Sequence, residues 1–141
     1  MARGDFAARQ IKKTRKHFRW KDVDYKHRKL RLWKKDPLAG APQGKGIVID
    51  KRVVEQKKPA SGLVKCVRVQ LIKNNVQLTA HVPGVGAIDK ISEHDEVIVE
   101  KIGGAQGGSK GSMVGVKFKV IKVNGVDLRQ ILMGKKQKPT R

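Results

Sequence analysis

The chain has one cysteine, Cys66, in 141 residues, so no intramolecular disulfide can hold it together. Cys66 lies inside an apolar run, which reads as a small buried hydrophobe in a reducing, cytosolic compartment. Aromatic residues make up only 4% of the chain and hydrophobic residues 38%, short of the usual share of about 45–50%, so the core is modest. No apolar run approaches the roughly 18 residues of a membrane span, and no signal-peptide pattern opens the chain. The decisive shortage is of acidic residues: 12 stand against 33 Lys and Arg, a net charge of +21. Such an excess exceeds what solubility needs and implies a polyanionic partner, nucleic acid before a membrane surface.

Catalytic and metal-binding patterns are also missing. The segment before Lys45 is one residue too short for a phosphate-cradling loop, and Gly46 replaces the hydroxyl that would hold magnesium. Gly84 and Gly86 form only a fragment of a dinucleotide fingerprint and read as turn residues. His17, His27, His81 and His94 are scattered without a Cys pair or a short-range His pair, so no metal site and no cofactor is expected. His94 between Glu93 and Asp95 reads as the polar entrance to a strand rather than an acid–base centre. The chain does not read as an enzyme; a basic ribonuclease using His81 with a lysine is the enzymatic alternative.

The length allows one compact domain with an extension. Residues 1–36 carry fourteen Lys or Arg against Asp5, Asp22, Asp24 and Asp36. Ala7, Ile11, Thr14 and Phe18 follow a helical stripe, with Lys12, Lys13, Arg15 and Lys16 on the other faces. So narrow a stripe suits packing against RNA better than a membrane. Asp22 is placed to cap a second helix from Val23 to about Lys34, which carries Arg28. Phe18, Trp20, Tyr25 and Trp33 interleave with basic residues such as Arg19, so rings can stack on bases, take arginine over their faces or pack on the downstream domain. Residues 37–46 read as a Pro/Gly linker, 47–125 as the domain, and 126–141 as a short helix or strand with a basic tail.

Five β-like runs fill the domain: 47–54, 64–73, 76–82, 95–102 and 116–123. In the second, Val67, Val69 and Leu71 alternate inward, and in the fifth Val116, Phe118 and Val120 do so. Asn74-Asn75 signals a two-residue hairpin. Five short strands that must hide their edges suggest a mainly β protein with an oligonucleotide-binding (OB-fold) barrel; the count alone also suits an SH3-like barrel. In an oligonucleotide-binding barrel the first and fourth connections lie on the binding side. Here these are Lys57 to Lys65, KKPASGLVK, and the glycine-rich Gly103 to Gly115. Pro59 makes the first a projecting turn, Ala60, Ser61 and Gly62 permit close approach, and Lys57, Lys58 and Lys65 form a basic collar with Glu55 nearby.

The blocks FAAR (6–9), FRW (18–20), DPLAGAP (36–42), KGIV (45–48), KCVRVQLIKN (65–74), EHDEVIVEKIGG (93–104), GVKFKVIKVNGV (115–126) and GKKQKP (134–139) stand in order along the chain. In them the sequence resembles the universal small-subunit ribosomal protein twelve family, in its archaeal and eukaryotic form, leaning to the archaeal branch. The resemblance implies an oligonucleotide-binding barrel at the decoding centre and an N-terminal extension threaded through ribosomal RNA. Its expected partners are small-subunit ribosomal RNA, the tRNA–mRNA minihelix, nearby translation factors and other small-subunit proteins, in cytoplasmic ribosomes and without membrane contact.

The family's decoding loop carries over as Pro59, Ala60, Ser61 and Gly62, with Pro59 and Ser61 helping decoding nucleotides settle. Eukaryotic relatives suggest hydroxylation at Pro59. The implied RNA-binding set is Lys12, Lys13, Arg15, Lys16, Arg19, Arg28, Lys45, Lys57, Lys58, Lys65 and Lys110. The chain departs from the family at Ala60, where Asn is usual, at Gly62 for Ala and at Val64 for a frequent Arg. It departs again at Ser112, Met113 and Val114, where the usual run is Asp-Ile-Pro. Two rival readings are a free single-strand RNA or DNA chaperone, which predicts stacking aromatics on the barrel wall, and an electrostatic membrane binder.

Overall fold

The computed structural model describes residues 3–104, 107–109, 111 and 113–140. It divides into two compact units, Met1–Gly40 and Ala41–Arg141.

In the first unit, helix α1 (Ala7–Arg19) buries no residue and has no side-chain N-cap. Ile11 and Phe18, from its apolar stripe, are exposed, so no core is built on that face. Asp22 caps helix α2 (Val23–Lys29) by accepting from the N–H groups of Asp24 and Tyr25 at 3.0 and 3.4 Å. The helix ends earlier than the expected Lys34, because Arg31 takes a left-handed conformation (φ 48°) and breaks the ladder. A 3₁₀ turn, Leu32–Lys35, follows it.

The second unit is an antiparallel barrel of strands β1 (Gln43–Glu55), β2 (Leu63–Leu71), β3 (Gln77–His81), β4 (Glu96–Lys101) and β5 (Phe118–Val123). A short β6 (Val126–Asp127) adds to the β5 edge and leads into helix α3 (Leu128–Leu132), so the ending read as helix or strand contains both. Strand order is β3-β2-β1-β4-β5-β6, and a parallel β3–β5 pairing closes the ring. Closure removes the edges that five short strands would otherwise leave open, and the topology is that of an oligonucleotide-binding barrel.

Strand β1 starts at Gln43, four residues before the expected Ile47, and serves both halves of the barrel. Gly46 is paired to Leu71 of β2 on one side and Val97 of β4 on the other. A Cβ there would come within 2.4 Å of Val69 Cγ1 and 2.7 Å of the Gln70 carbonyl oxygen, so glycine lets the two halves converge. A register shift between Val48 and Asp50 then bends the strand. The interior is filled by small branched residues, among them Val48, Val67, Val69, Val97, Val99, Val120 and Val123, all nearly inaccessible.

Asn74-Asn75 does not form a two-residue hairpin. Backbone bonds from Leu71 N–H to the Val76 carbonyl (3.0 Å) and from Asn75 N–H to the Leu71 carbonyl (3.0 Å) enclose a longer loop. Asn75 takes the left-handed position, and the Asn74 side chain accepts from Val76 N–H at 3.3 Å. The tight turn lies instead at Asn124-Gly125, both with positive φ, between the paired residues Val123 and Val126.

Asp95, the one buried charged residue among those described, ties the C-terminal tail to the barrel. Its carboxylate accepts from Lys138 Nζ at 2.6 Å, Ser92 N–H at 2.7 Å and Asn124 Nδ2 at 3.0 Å. Asn124 Nδ2 also donates to the Pro139 carbonyl at 3.2 Å, and Lys138 Nζ to Ser92 Oγ at 3.0 Å. Burial alone would raise the Asp95 pKa, but the bonds from Lys138, Ser92 and Asn124 and the lysine charge together lower it.

Two outcomes follow for stability. Gly46→Ala should destabilise the barrel by about 1–3 kcal/mol in urea unfolding, the typical cost of forcing atoms into a packed site. A carboxyl whose pKa is lower folded than unfolded stabilises above its unfolded value, near about 4, and that contribution disappears as pH falls through the folded value. Unfolding of the wild type from pH 6 downward should show this loss. Asp95→Asn should remove that part of the acid dependence and cost about 3 kcal/mol at neutral pH.

Candidate nucleic-acid interface

Strand ends decide which loops share a rim. Cys66 near the start of β2 is paired to His81 at the end of β3, and His81 is paired to Lys119 at the start of β5. The connection into β2 (56–62) and the connection into β5 (102–117) therefore open at the same end of the barrel. Their contact is apolar: Val64, Cys66 and Val116 form a buried cluster, with Val54 and Met113 packed on it.

Within the first loop, Gln56 N–H donates to the Gly62 carbonyl at 2.8 Å, and Ala60 N–H to the Lys57 carbonyl at 3.1 Å. The Lys58–Pro59 peptide is cis, and Ser61 has φ 42°. A Cβ on Gly62 would lie 2.6 Å from Gln56 Oε1, the end of a flexible side chain that can move aside. Lys57, Lys58, Pro59, Ala60 and Ser61 are exposed at the tip, and Gly62 is half-buried. Lys65 belongs to β2, exposed opposite Val53, while its carbonyl accepts from Val82 N–H at 3.0 Å. Lys110 and Ser112 lie outside the described residues.

Positive charge is distributed unevenly over this unit. On the wall, Lys119 pairs with Glu100 at 2.7 Å, Lys45 with Glu96 at 3.7 Å and Arg52 with Asp50 at 3.5 Å. Among the described residues, no carboxylate lies within ion-pairing distance of Lys57, Lys58 or Lys65. Lys51, Arg68 and Lys122 on the strands are likewise outside these ion pairs, so the rim lysines extend a basic surface that the wall shares, whereas Lys45 is ten residues back along β1 from Glu55 and is not brought to the loop.

The first unit presents its own cationic surface. Lys12, Lys13, Arg15 and Lys16 are exposed on α1, and Arg28 on α2. Arg15, Lys16, Phe18, Arg19, Trp20, Asp22 and Tyr25 line an open cleft of about 770 Å³ at the elbow between the helices. Trp20 meets Tyr25 edge-on, with centroids 5.2 Å apart, and the Arg19 guanidinium sits 4.7 Å from the Tyr25 ring centre. Arg19 also reaches Asp22 at 3.4 Å, so it orders the elbow as well as charging it. Rings and cations in this arrangement can stack on bases and neutralise phosphates.

His81 Nδ1 lies 3.2 Å from the Lys65 carbonyl oxygen, which engages its ring at the strand end. His94 sits in a turn with its N–H on the Val48 carbonyl, and the Asp95 carboxylate is occupied by Lys138, Ser92 and Asn124. Phe118 is buried, and the exposed aromatic residues Phe6, Phe18, Trp20 and Trp33 all belong to the first unit, so the barrel wall lacks the stacking platform of a free single-strand binder. Among the described residues no helix is long and apolar enough to cross a membrane, and no group of three or more His, Cys, Asp or Glu could hold a metal ion.

Sequence reasoning located both loops and the elbow, but it missed the cluster that joins the loops. Val64 and Cys66 lie on the opposite side of β2 from Val67, Val69 and Leu71, and the run of apolar residues across positions 63–67 was the available signal.

The family model for ribosomal protein S12/S23 matches residues 31–141, which takes in the whole barrel, both rim loops and the C-terminal tail. A closed oligonucleotide-binding barrel, a rim of unpaired lysines and this match over most of the chain agree: the protein belongs to the ribosomal protein S12/S23 family, small-subunit ribosomal proteins that bind ribosomal RNA and serve translation as structural components of the ribosome.

Proposed function

We propose that this chain sits at the decoding centre and influences how accurately the A site accepts a codon–anticodon pair. The observation that carries the reading is the shared rim, where an exposed Pro59-Ala60-Ser61 tip stands among unpaired Lys57, Lys58 and Lys65. The lysines hold phosphates, and the small tip residues let RNA approach the backbone. The Ser61 hydroxyl both donates and accepts, which suits the 2′-hydroxyls displayed by an RNA minor groove. One net hydrogen bond of about 0.5–1.5 kcal/mol, made in the closed arrangement around a correct pair, is enough to change selection several-fold. The reaction needs no covalent step from the protein, and the role is positioning.

Residues 1–36 act as the extension that enters ribosomal RNA, with Lys12, Lys13, Arg15, Lys16, Arg19 and Arg28 on phosphates and the elbow rings on bases. The absence of any buried residue on α1 supports this, since the helix has no protein core to join. The nearby partners are the tRNA–mRNA minihelix and translation factors, in cytoplasmic ribosomes. Pro59, exposed at the tip, is open to hydroxylation.

Ser61→Ala should change reporter misreading by about two- to tenfold, the range one hydrogen bond allows, with small-subunit yield on sucrose gradients unaltered. Deletion of residues 1–35 should instead lower small-subunit yield. Wild-type misreading and growth in both strains would overturn the reading. Ultraviolet cross-linking in cells should join the 57–65 peptide to the decoding region of small-subunit ribosomal RNA; cross-links spread over many messenger RNAs would point to a free chaperone. Trp20→Ala should weaken binding of the full chain to ribosomal RNA by about fivefold or more, with little change in its salt dependence, because stacking releases no counterions.

A further inference from the structure

We infer that the apolar cluster of Val54, Val64, Cys66, Met113 and Val116 is a clip through which the β4–β5 loop positions the Ser61 loop, with Met113 and Cys66 as positioning residues. The inference rests on the decoding reading of Ser61 for its consequence, not for its geometry.

Strand alternation shows why the cluster needs an explanation. Val67, Val69 and Leu71 face the barrel interior, so Val64 and Cys66 fall on the outer side of β2. One face of an antiparallel sheet is commonly solvated, yet Cys66 is 0% exposed and Val64 8%. The residues packed there with them are Val116, 3% exposed, and Met113, both from the segment between β4 and β5. This satellite core is separate from the interior that holds the barrel closed.

Among the described residues, the backbone bonds of the loop give it no equivalent anchor. Its bonds from Gln56 to Gly62 and from Ala60 to Lys57 are internal to residues 56–62, so they shape the loop without aiming it. Aim comes from the stem, where Val54 and Val64 stand opposite each other in register three residues before Lys57 and three after Ser61. On the other side, Met113 lies between Gly111 and Gly115, both at positive φ, a backbone with little preference of its own. An unbranched, adaptable methionine between such residues takes its place from what it packs against. The clip thus makes the two loops move as one body, and whatever the glycine-rich loop touches is felt at Ser61.

Hydrogen exchange on the purified full chain tests the coupling directly. Met113→Ala should raise exchange of the amides in 56–62 by about threefold or more, although the substitution lies in the other loop, and Met113→Leu should restore it. Cys66→Ala, which trims the same cluster from β2, should have the same effect and stands in if Met113→Ala folds poorly. Unchanged exchange in 56–62 for both variants would overturn the inference.

A double-mutant cycle on reporter misreading tests the consequence. Met113→Ala should shift misreading with small-subunit yield unaltered, and should add little once Ser61→Ala is present. Fully additive effects would overturn the positioning role. Raised exchange with a silent Ser61→Ala would instead fell the decoding reading while the coupling between loops stands.

Discussion

A parallel pairing of only two residues on each strand, Ala80 with Phe118 and His81 with Lys119, closes the barrel. Much of the arrangement depends on it. It covers the edges of β3 and β5, encloses a core of small branched residues, and brings the starts of β2 and β5 to one rim. The loops entering those two strands must then emerge side by side. A modest apolar content suffices because valine and alanine fill a narrow barrel, and Gly46 lets the long β1 strand serve both halves at close range.

Charge divides the molecule in a complementary way. Three cations on the barrel wall, Lys45, Lys119 and Arg52, are matched by Glu96, Glu100 and Asp50, and Lys138 of the tail by Asp95. Among the described residues, Lys57, Lys58 and Lys65 at the rim and Lys12, Lys13 and Lys16 along α1 have no such carboxylate, which is the basis on which an RNA partner is proposed for them. The first unit carries this furthest: its helices are shaped by local devices, the Asp22 cap and the Arg19–Tyr25 stack, and not by a buried face.

How far the sequence could be read depended on how local the cause was. α1 and the Asp22 cap were legible because a stripe and a capping carboxylate act within a few residues. The five strand positions were legible from β-branched alternation, and the two rim loops from their place between strands. The end of α2 was not, since Arg31 enters the left-handed region where no glycine announces it. Nor was the early start of β1, because Gln43, Gly44 and Lys45 have no strand preference and are held there by Glu100, Val99 and Ile98 across the ladder. The hairpin expected at Asn74-Asn75 failed for a related reason: Leu71 and Val76 close the ladder outside the pair, and the asparagines serve a wider loop.

By itself, then, the sequence determined the partner's charge, the barrel-forming strands, the basic helices and the tip residues Pro59, Ala60 and Ser61, because composition, periodicity and turn chemistry are carried by neighbours in the chain. Only the tertiary structure decided that Val64 and Cys66 turn outward under Met113 and Val116, and that Asp95 holds Lys138 rather than serving His94. It also decided which lysines are neutralised on the wall and which stand unpaired at the rim. The tail contact and the satellite cluster join residues about forty to fifty positions apart, and the pairing of distant strands, which no local pattern encodes, is what brings such residues together.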